Sequence, residues 1–202
     1  NNLGSLRKRG AFDNAELKAS IEEKLGQAET GPGATRVSAF KAERAIESAR
    51  AIGDTAIESR GLSILGVDRA NLGDVGAGIE LLRRSLALAL PTGDPLAIPR
   101  AYANLGTILE VGGFVEEALE VSLAGVEAIR RYGSELSFGM FLAVNAASML
   151  IELGRYDEAG DLLDHYVGQV LPGVSTIQGD HTRAHLAILT GDLDAARHHL
   201  AI

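Results

Sequence analysis

His181 and His185 stand four residues apart, a spacing that sets two imidazoles on one helix face within reach of a common metal ion. Asp180 is the neighbouring candidate for a third ligand, and no His-Glu-x-x-His string accompanies the pair. A plain helix face is the simpler account of both histidines, with contact to a partner as the alternative. His198 and His199 are adjacent, so they point in different directions and make a weaker pair still. Gly31-Pro-Gly-Ala-Thr35 has the glycines of a phosphate cradle but lacks the Gly-Lys-Ser/Thr ending, and it reads as a loop. Serine, acid and histidine all occur without a strand-turn-helix setting for a nucleophile. The expectation is therefore no enzyme, no catalytic residue, no cofactor and no metal.

Composition narrows the classes further. The chain has 202 residues, 46% of them hydrophobic, enough to fill a sizeable core. Cysteine is absent, which removes disulfides and thiolate zinc sites. No apolar run reaches bilayer length, and the first ten residues have no signal-like stretch; a soluble, cytoplasmic protein is expected. With 27 acidic against 19 basic side chains the formal charge is -8, which argues against direct nucleic-acid binding. Arg7, Lys8 and Arg9 form the compact basic cluster and read as a solvated loop or helix end. Tyr102, Tyr132, Tyr156 and Tyr166, like the five phenylalanines, read as packing residues rather than a stacking platform. Without an initiator methionine, and ending inside an apolar helical pattern, the sequence is expected to be a piece of a larger protein.

The elements that position these residues emerge from a repeat. Residues 53–66 lie over 93–106 at an offset of 40, with Gly53, Asp54, Arg60, Leu65 and Gly66 matching Gly93, Asp94, Arg100, Leu105 and Gly106. A second signature recurs at Gly73, Gly113, Gly154 and Gly191: a glycine that stops a helix, an apolar residue two later, and a small residue five later. Those small residues, Gly78, Ala118, Ala159 and Ala196, are spaced by 40, 41 and 37. Apolar periodicity predicts first helices at 55–71, 95–111, 135–152 and 178–190, and second helices at 75–89, 115–131, 156–169 and 192–202. Asp54 and Asp94 suit N-caps, and Pro95 suits the first helical position. Pro99 lacks an amide hydrogen, so that helix either starts near Ile98 or is kinked. Upstream, 36–51 and 14–26 read as further helices.

The expected fold is all-α: a right-handed solenoid of antiparallel hairpins with a period of about 40 residues. It is read as one domain over 1–202, with degenerate repeats at 1–52 and clearer ones at 53–92, 93–133, 134–176 and 177–202, the last incomplete. Tyr102, Leu105, Gly106, Leu109, Gly113 and Ala118, followed by Leu150, Gly154, Tyr156 and Ala159, resemble the tetratricopeptide repeat pattern. The long period, with Gly-Asp at the bend and Leu-Gly in the first helix, is similar to the C-terminal regulatory region of bacterial ATPase transcription regulators of the LuxR and MalT type. Ala146-Ala147 departs from Leu-Gly, and no nucleotide-binding or helix-turn-helix module is identifiable.

The resemblance implies a concave groove lined by first helices. Its expected lining is Arg60, Ser63 and Val67; Arg100, Ala103, Thr107 and Glu110; Phe141, Val144, Ser148 and Glu152; and His181 and His185. The carboxylate-clamp form of the family uses lysines there, and this surface has none. Asn104 and Asn145, just before the Leu-Gly position, suit structural hydrogen bonds. Arg60 and Arg100 are the better candidates, since two guanidinium groups could grip an acidic or phosphorylated partner, unless both are spent on local ion pairs. A protein or peptide partner is expected, in a regulatory or transcription-regulating setting. A small-molecule effector is the alternative, and an all-helical enzyme a weaker one. Leu193, Ala196, Leu200 and Ile202 leave an apolar C-terminal edge that is expected either to form a homodimer or to fray.

Overall fold

The computed structural model describes residues 34–132, 139–167 and 174–201. The basic cluster at Arg7, the helix expected over 14–26, Gly31 and Ile202 lie outside them. Each element among the described residues is helical: α1 (Ala34–Ile52), α2 (Thr55–Asn71), α3 (Val75–Ala89), a 3-10 turn (Leu90–Thr92), α4 (Ala97–Val111), α5 (Val115–Tyr132), α6 (Met140–Glu152), α7 (Tyr156–Val167), α8 (Val174–Thr190) and α9 (Leu193–Leu200). Antiparallel hairpins recur about every 40 residues, as the repeat demands. Ala34 and Thr35 begin α1 instead of ending a loop.

The helix boundaries follow from local chemistry. Asp54, Asp74 and Asp192 each accept a hydrogen bond from the backbone amide three residues on, satisfying a donor with no partner inside its helix. Asp94 accepts from Leu96 and Ala97, so α4 begins at Ala97, two residues later than expected. Pro99 thereby falls in the first turn, where its missing amide hydrogen breaks no helical bond, and it is buried rather than a kink. At the bends the backbone turns left-handed at glycine, as at Gly113 with φ +82°. The Phe114 amide there reaches back to the Leu109 carbonyl at 2.9 Å and closes the helix end. The apolar residue after each bend packs less uniformly than expected: Val75 and Val115 are half-buried, whereas Leu193 is 55% exposed.

Chain contacts divide the protein into two units, Asn1–Thr92 and Gly93–Ile202. In the first, α1 packs on α2 and α2 on α3. Ala39, Ala42, Ile46, Leu62 and Leu65 form its main apolar cluster. Gly66 and Gly78 let α2 and α3 approach so closely that a Cβ on Gly78 would lie 2.7 Å from the Gly66 carbonyl oxygen. Two turns further along the same contact, the Ser59 and Ser85 hydroxyls each donate to the other's carbonyl at 2.8 Å inside the core. At its rim Glu58 accepts from Arg50 at 2.8 Å and Arg84 at 3.0 Å, tying the three helices together.

In the second unit the hairpins are α4–α5, α6–α7 and α8–α9. The first helices α4, α6 and α8 are successive neighbours, and α5 also touches α6, as α7 does α8. Ala103, Val126, Ile129, Leu142, Ala143 and Tyr166 make its largest apolar cluster, with Tyr102, Phe141 and Leu162 packed against it. Tyr102 and Tyr166 are thus packing residues, whereas Tyr156 is exposed. No described helix is long and apolar enough to cross a membrane.

Candidate functional site

The expected groove residues fall on α2, α4, α6 and α8, the first helix of each hairpin, but they do not share one environment. Ser63 is 3% exposed, Ala103 5% and Val144 1%, so these three are inside the protein. They occupy the same place in successive repeats, and that place faces the neighbouring helix rather than solvent. Phe141 is half-buried against the apolar cluster. Arg60, Thr107, Glu110 and Ser148 are partly exposed, while Arg100, Glu152, His181 and His185 are exposed. Asn145 is buried, in keeping with a structural role.

The arginines among the described residues fall into two groups. Arg44, Arg50, Arg69, Arg83 and Arg84 in the first unit, and Arg130, Arg131, Arg155, Arg183 and Arg197 in the second, are each paired with a carboxylate. Arg60, Arg100 and Arg36 are not. Arg60 Nε is in addition buried with no hydrogen-bond acceptor, so the head of this side chain has unused donors. The local ion pairs that would have explained Arg60 and Arg100 away are absent among the described residues.

Toward the C-terminal ends of α4 and α6, Glu110 and Glu152 repel one another. Burial, and then the Glu152 charge, push the Glu110 carboxyl above its ordinary range. In the first unit Asp68 is buried on α2. Its Oδ2 has no partner, and loss of solvent raises its pKa, opposed by a hydrogen bond from Ser38. The sequence signal for Asp68 was its equivalence, at an offset of 40, to the core residue Ile108.

Asp180 does not face a metal site with His181 and His185. Its Oδ1 lies 3.4 Å from His199 Nδ1 on α9, a nitrogen that makes no hydrogen bond. Among the described residues no group of three or more histidine, aspartate or glutamate side chains is gathered to hold a metal ion. A cleft of about 540 Å³ opens between α7 and the α8–α9 hairpin, lined by both charged and apolar side chains. Sequence reading missed it.

No protein-family model and no curated protein matches the chain. Solved structures do. The TPR-like repeats of a protein assigned as a kinesin light chain from Podosopora anserina superpose with a TM-score of 0.67 and 18% identity, over 96% of this chain and 92% of that one. A glutamine-to-methionine variant of those repeats gives 0.68 at 18% identity, over the same 96% and 92%. BtubC (BKLC) from P. vanneervenii gives 0.65 at 13% identity, over 93% and 87%. At these identities the likeness shows the fold: an all-α, tetratricopeptide-like solenoid of paired antiparallel helices.

Proposed function

We propose that this chain is a protein-interaction scaffold whose first-helix surfaces hold an acidic peptide or protein, serving a larger regulatory protein. Within the second unit the first helices α4, α6 and α8 are successive neighbours, which suits an extended partner better than a small substrate. The observation that carries the reading is the state of Arg60 and Arg100. In a chain with an excess of acid, these two first-helix guanidinium groups, one in each unit, keep their donors free while ten other described arginines are neutralised. Carboxylate or phosphate oxygens on a partner would satisfy them with charge-assisted bonds. Thr107, Ser148, His181 and His185 are the further partner-facing polar groups in this reading, and Phe141 supplies an apolar edge. Glu110 and Glu152 select against acid at their end of α4 and α6. Ser63 is left out because it is buried. Regulation of transcription and a cytoplasmic location remain parts of the proposal that rest on sequence resemblance and composition.

The test is titration of the full chain with a fluorescent glutamate-rich peptide and its phosphoserine counterpart, followed by affinity capture from cell extract. Arg60→Ala with Arg100→Ala is expected to weaken peptide binding by about tenfold or more, with partial recovery in the paired lysine variants. Equal affinity and equal capture by wild type and the double alanine variant would remove these arginines from the site.

A further inference from the structure

The cleft between α7 and the α8–α9 hairpin exists because a core side chain is missing. In the repeat register, the residue after the small crossing residue is Ile79 in α3 and Leu119 in α5, 5% and 3% exposed. In α7 it is Gly160. Gly66, Gly78, Gly106 and Gly125 are demanded by close packing, since a Cβ would come within 2.7 Å of neighbouring atoms at the first three and within 2.8 Å at the fourth, whereas Gly76, in the first turn of α3, is open. At Gly160 the nearest atom to an added Cβ is Leu186 Cδ2, at an ordinary 3.8 Å. Nothing in the fold excludes a side chain at this position, and glycine inside a helix is unfavourable. The space is therefore open for something else, and about 540 Å³ is the size of a small binding cleft.

The walls specify what would fit. Tyr156, Leu186 and Ala187 give an apolar surface along the slot. Of the acidic side chains at its edge, Asp164 holds Arg183 at 2.9 Å and Asp192 caps α9 through the Ala195 amide at 2.9 Å. Asp157 and Asp161 have no such partner. They stand four apart on the exposed face of α7, so their like charges repel one another and a cation between them would relieve that repulsion. Arg183, which also lines the cleft, donates from Nη2 to Asp164 and to the Leu163 carbonyl, while its buried Nε has no partner.

We propose that the cleft beside Gly160 receives a lysine or arginine side chain from a partner peptide. Its methylene stem would lie in the space of the missing aliphatic residue, with its charged head between Asp157 and Asp161. Filling the slot and neutralising the acids are separable, so two variants test it. The probe is a fluorescent synthetic peptide of alternating lysine and leucine, titrated against the full chain at low salt. Gly160→Leu places there the aliphatic residue type that α3 and α5 carry, where α9 has Arg197, and leaves the charges alone. Asp157→Asn with Asp161→Asn leaves the cleft open and removes the charge.

Each is expected to weaken binding by about tenfold, while Glu116→Gln with Glu120→Gln, on the exposed face of α5, changes it less than about twofold. Thermal melting checks that all variants fold, and Gly160→Leu is expected to melt no lower than wild type. The proposal fails if wild type does not bind, if Gly160→Leu binds as well as wild type, or if the two asparagines have no effect. It also fails if the α5 control weakens binding equally, since diffuse attraction would then explain it. Spermidine competing as effectively as the peptide would assign the cleft to a free amine instead and overturn the peptide source.

Discussion

Asp68 and Glu110 are two carboxylates that the folded chain holds less comfortably than water would. Both have raised pKa values, chiefly because folding removes solvent, with Glu152 adding repulsion at Glu110. Between the ordinary carboxylate range and the raised folded value, the folded chain binds more protons than the unfolded one. Stability contributed by these groups therefore falls as pH rises through that window, and the penalty is complete above it. Asp68→Asn is expected to stabilise the protein by about 1 kcal/mol at neutral pH, since the amide can still accept from Ser38 without a buried charge. Glu110→Gln should act in the same direction but by less, because that side chain keeps contact with solvent. Urea melts at neutral pH and at pH below the ordinary carboxylate range check both: the gain should shrink in acid. A gain that persists unchanged in acid would show that packing, not ionisation, is responsible. Retention of an acid that costs stability fits a surface shaped by binding at Glu110. At Asp68 no groove argument applies, and the structure offers only the Ser38 bond.

At the scale of elements, Gly76 and Gly78 separate propensity from packing within one helix. Nothing lies within 4 Å of a Cβ added at Gly76, whereas one at Gly78 would meet the Gly66 carbonyl oxygen at 2.7 Å. Gly76→Ala is expected to gain about 0.5 to 1 kcal/mol from helix propensity. Gly78→Ala should lose about 2 kcal/mol by forcing α2 and α3 apart, although Ala118, Ala159 and Ala196 occupy the equivalent position elsewhere. Chemical denaturation of the two variants reads the difference directly, and a stabilised Gly78→Ala would show that the crossing yields easily. The same contrast marks what the sequence revealed. Thr55–Asn71 and Val75–Ala89 match their expected helices because aspartate caps and glycine stops act locally. The α4 start was displaced because Asp94 bonds two successive amides, a detail that apolar periodicity does not encode. The groove lining was read one position too generously: Ser63, Ala103 and Val144 look surface-compatible by type, yet face an adjacent helix. The cleft was visible only as Gly160 standing in line with Ile79 and Leu119, a comparison that acquires meaning once those two are seen to be buried.

At the scale of the molecule, the described residues form hairpins that each pack on their sequence neighbours, so stability should be graded along the chain rather than uniform. The α8–α9 hairpin is the clearest case. Ala196 is buried at its crossing, but Ile188, Leu189, Leu193 and Leu200 are 50%, 45%, 55% and 58% exposed. Within α9, Ala196 is the one buried residue, Asp192 caps the first turn, and His199 Nδ1 lies 3.4 Å from Asp180 on α8. Two behaviours are open to such a helix: local opening in a monomer, or cover by the same edge of a second copy. Hydrogen exchange over a range of protein concentrations separates them. Fast exchange of α9 at every concentration, beside slow exchange in α2 and α6, is the expected result for opening. Protection that rises with concentration, together with a doubled mass by light scattering, is expected for self-association, and Leu193→Glu with Leu200→Glu should abolish it. Slow exchange independent of concentration would contradict both, because it would mean that α9, with one buried residue, is held as firmly as the core holds α6.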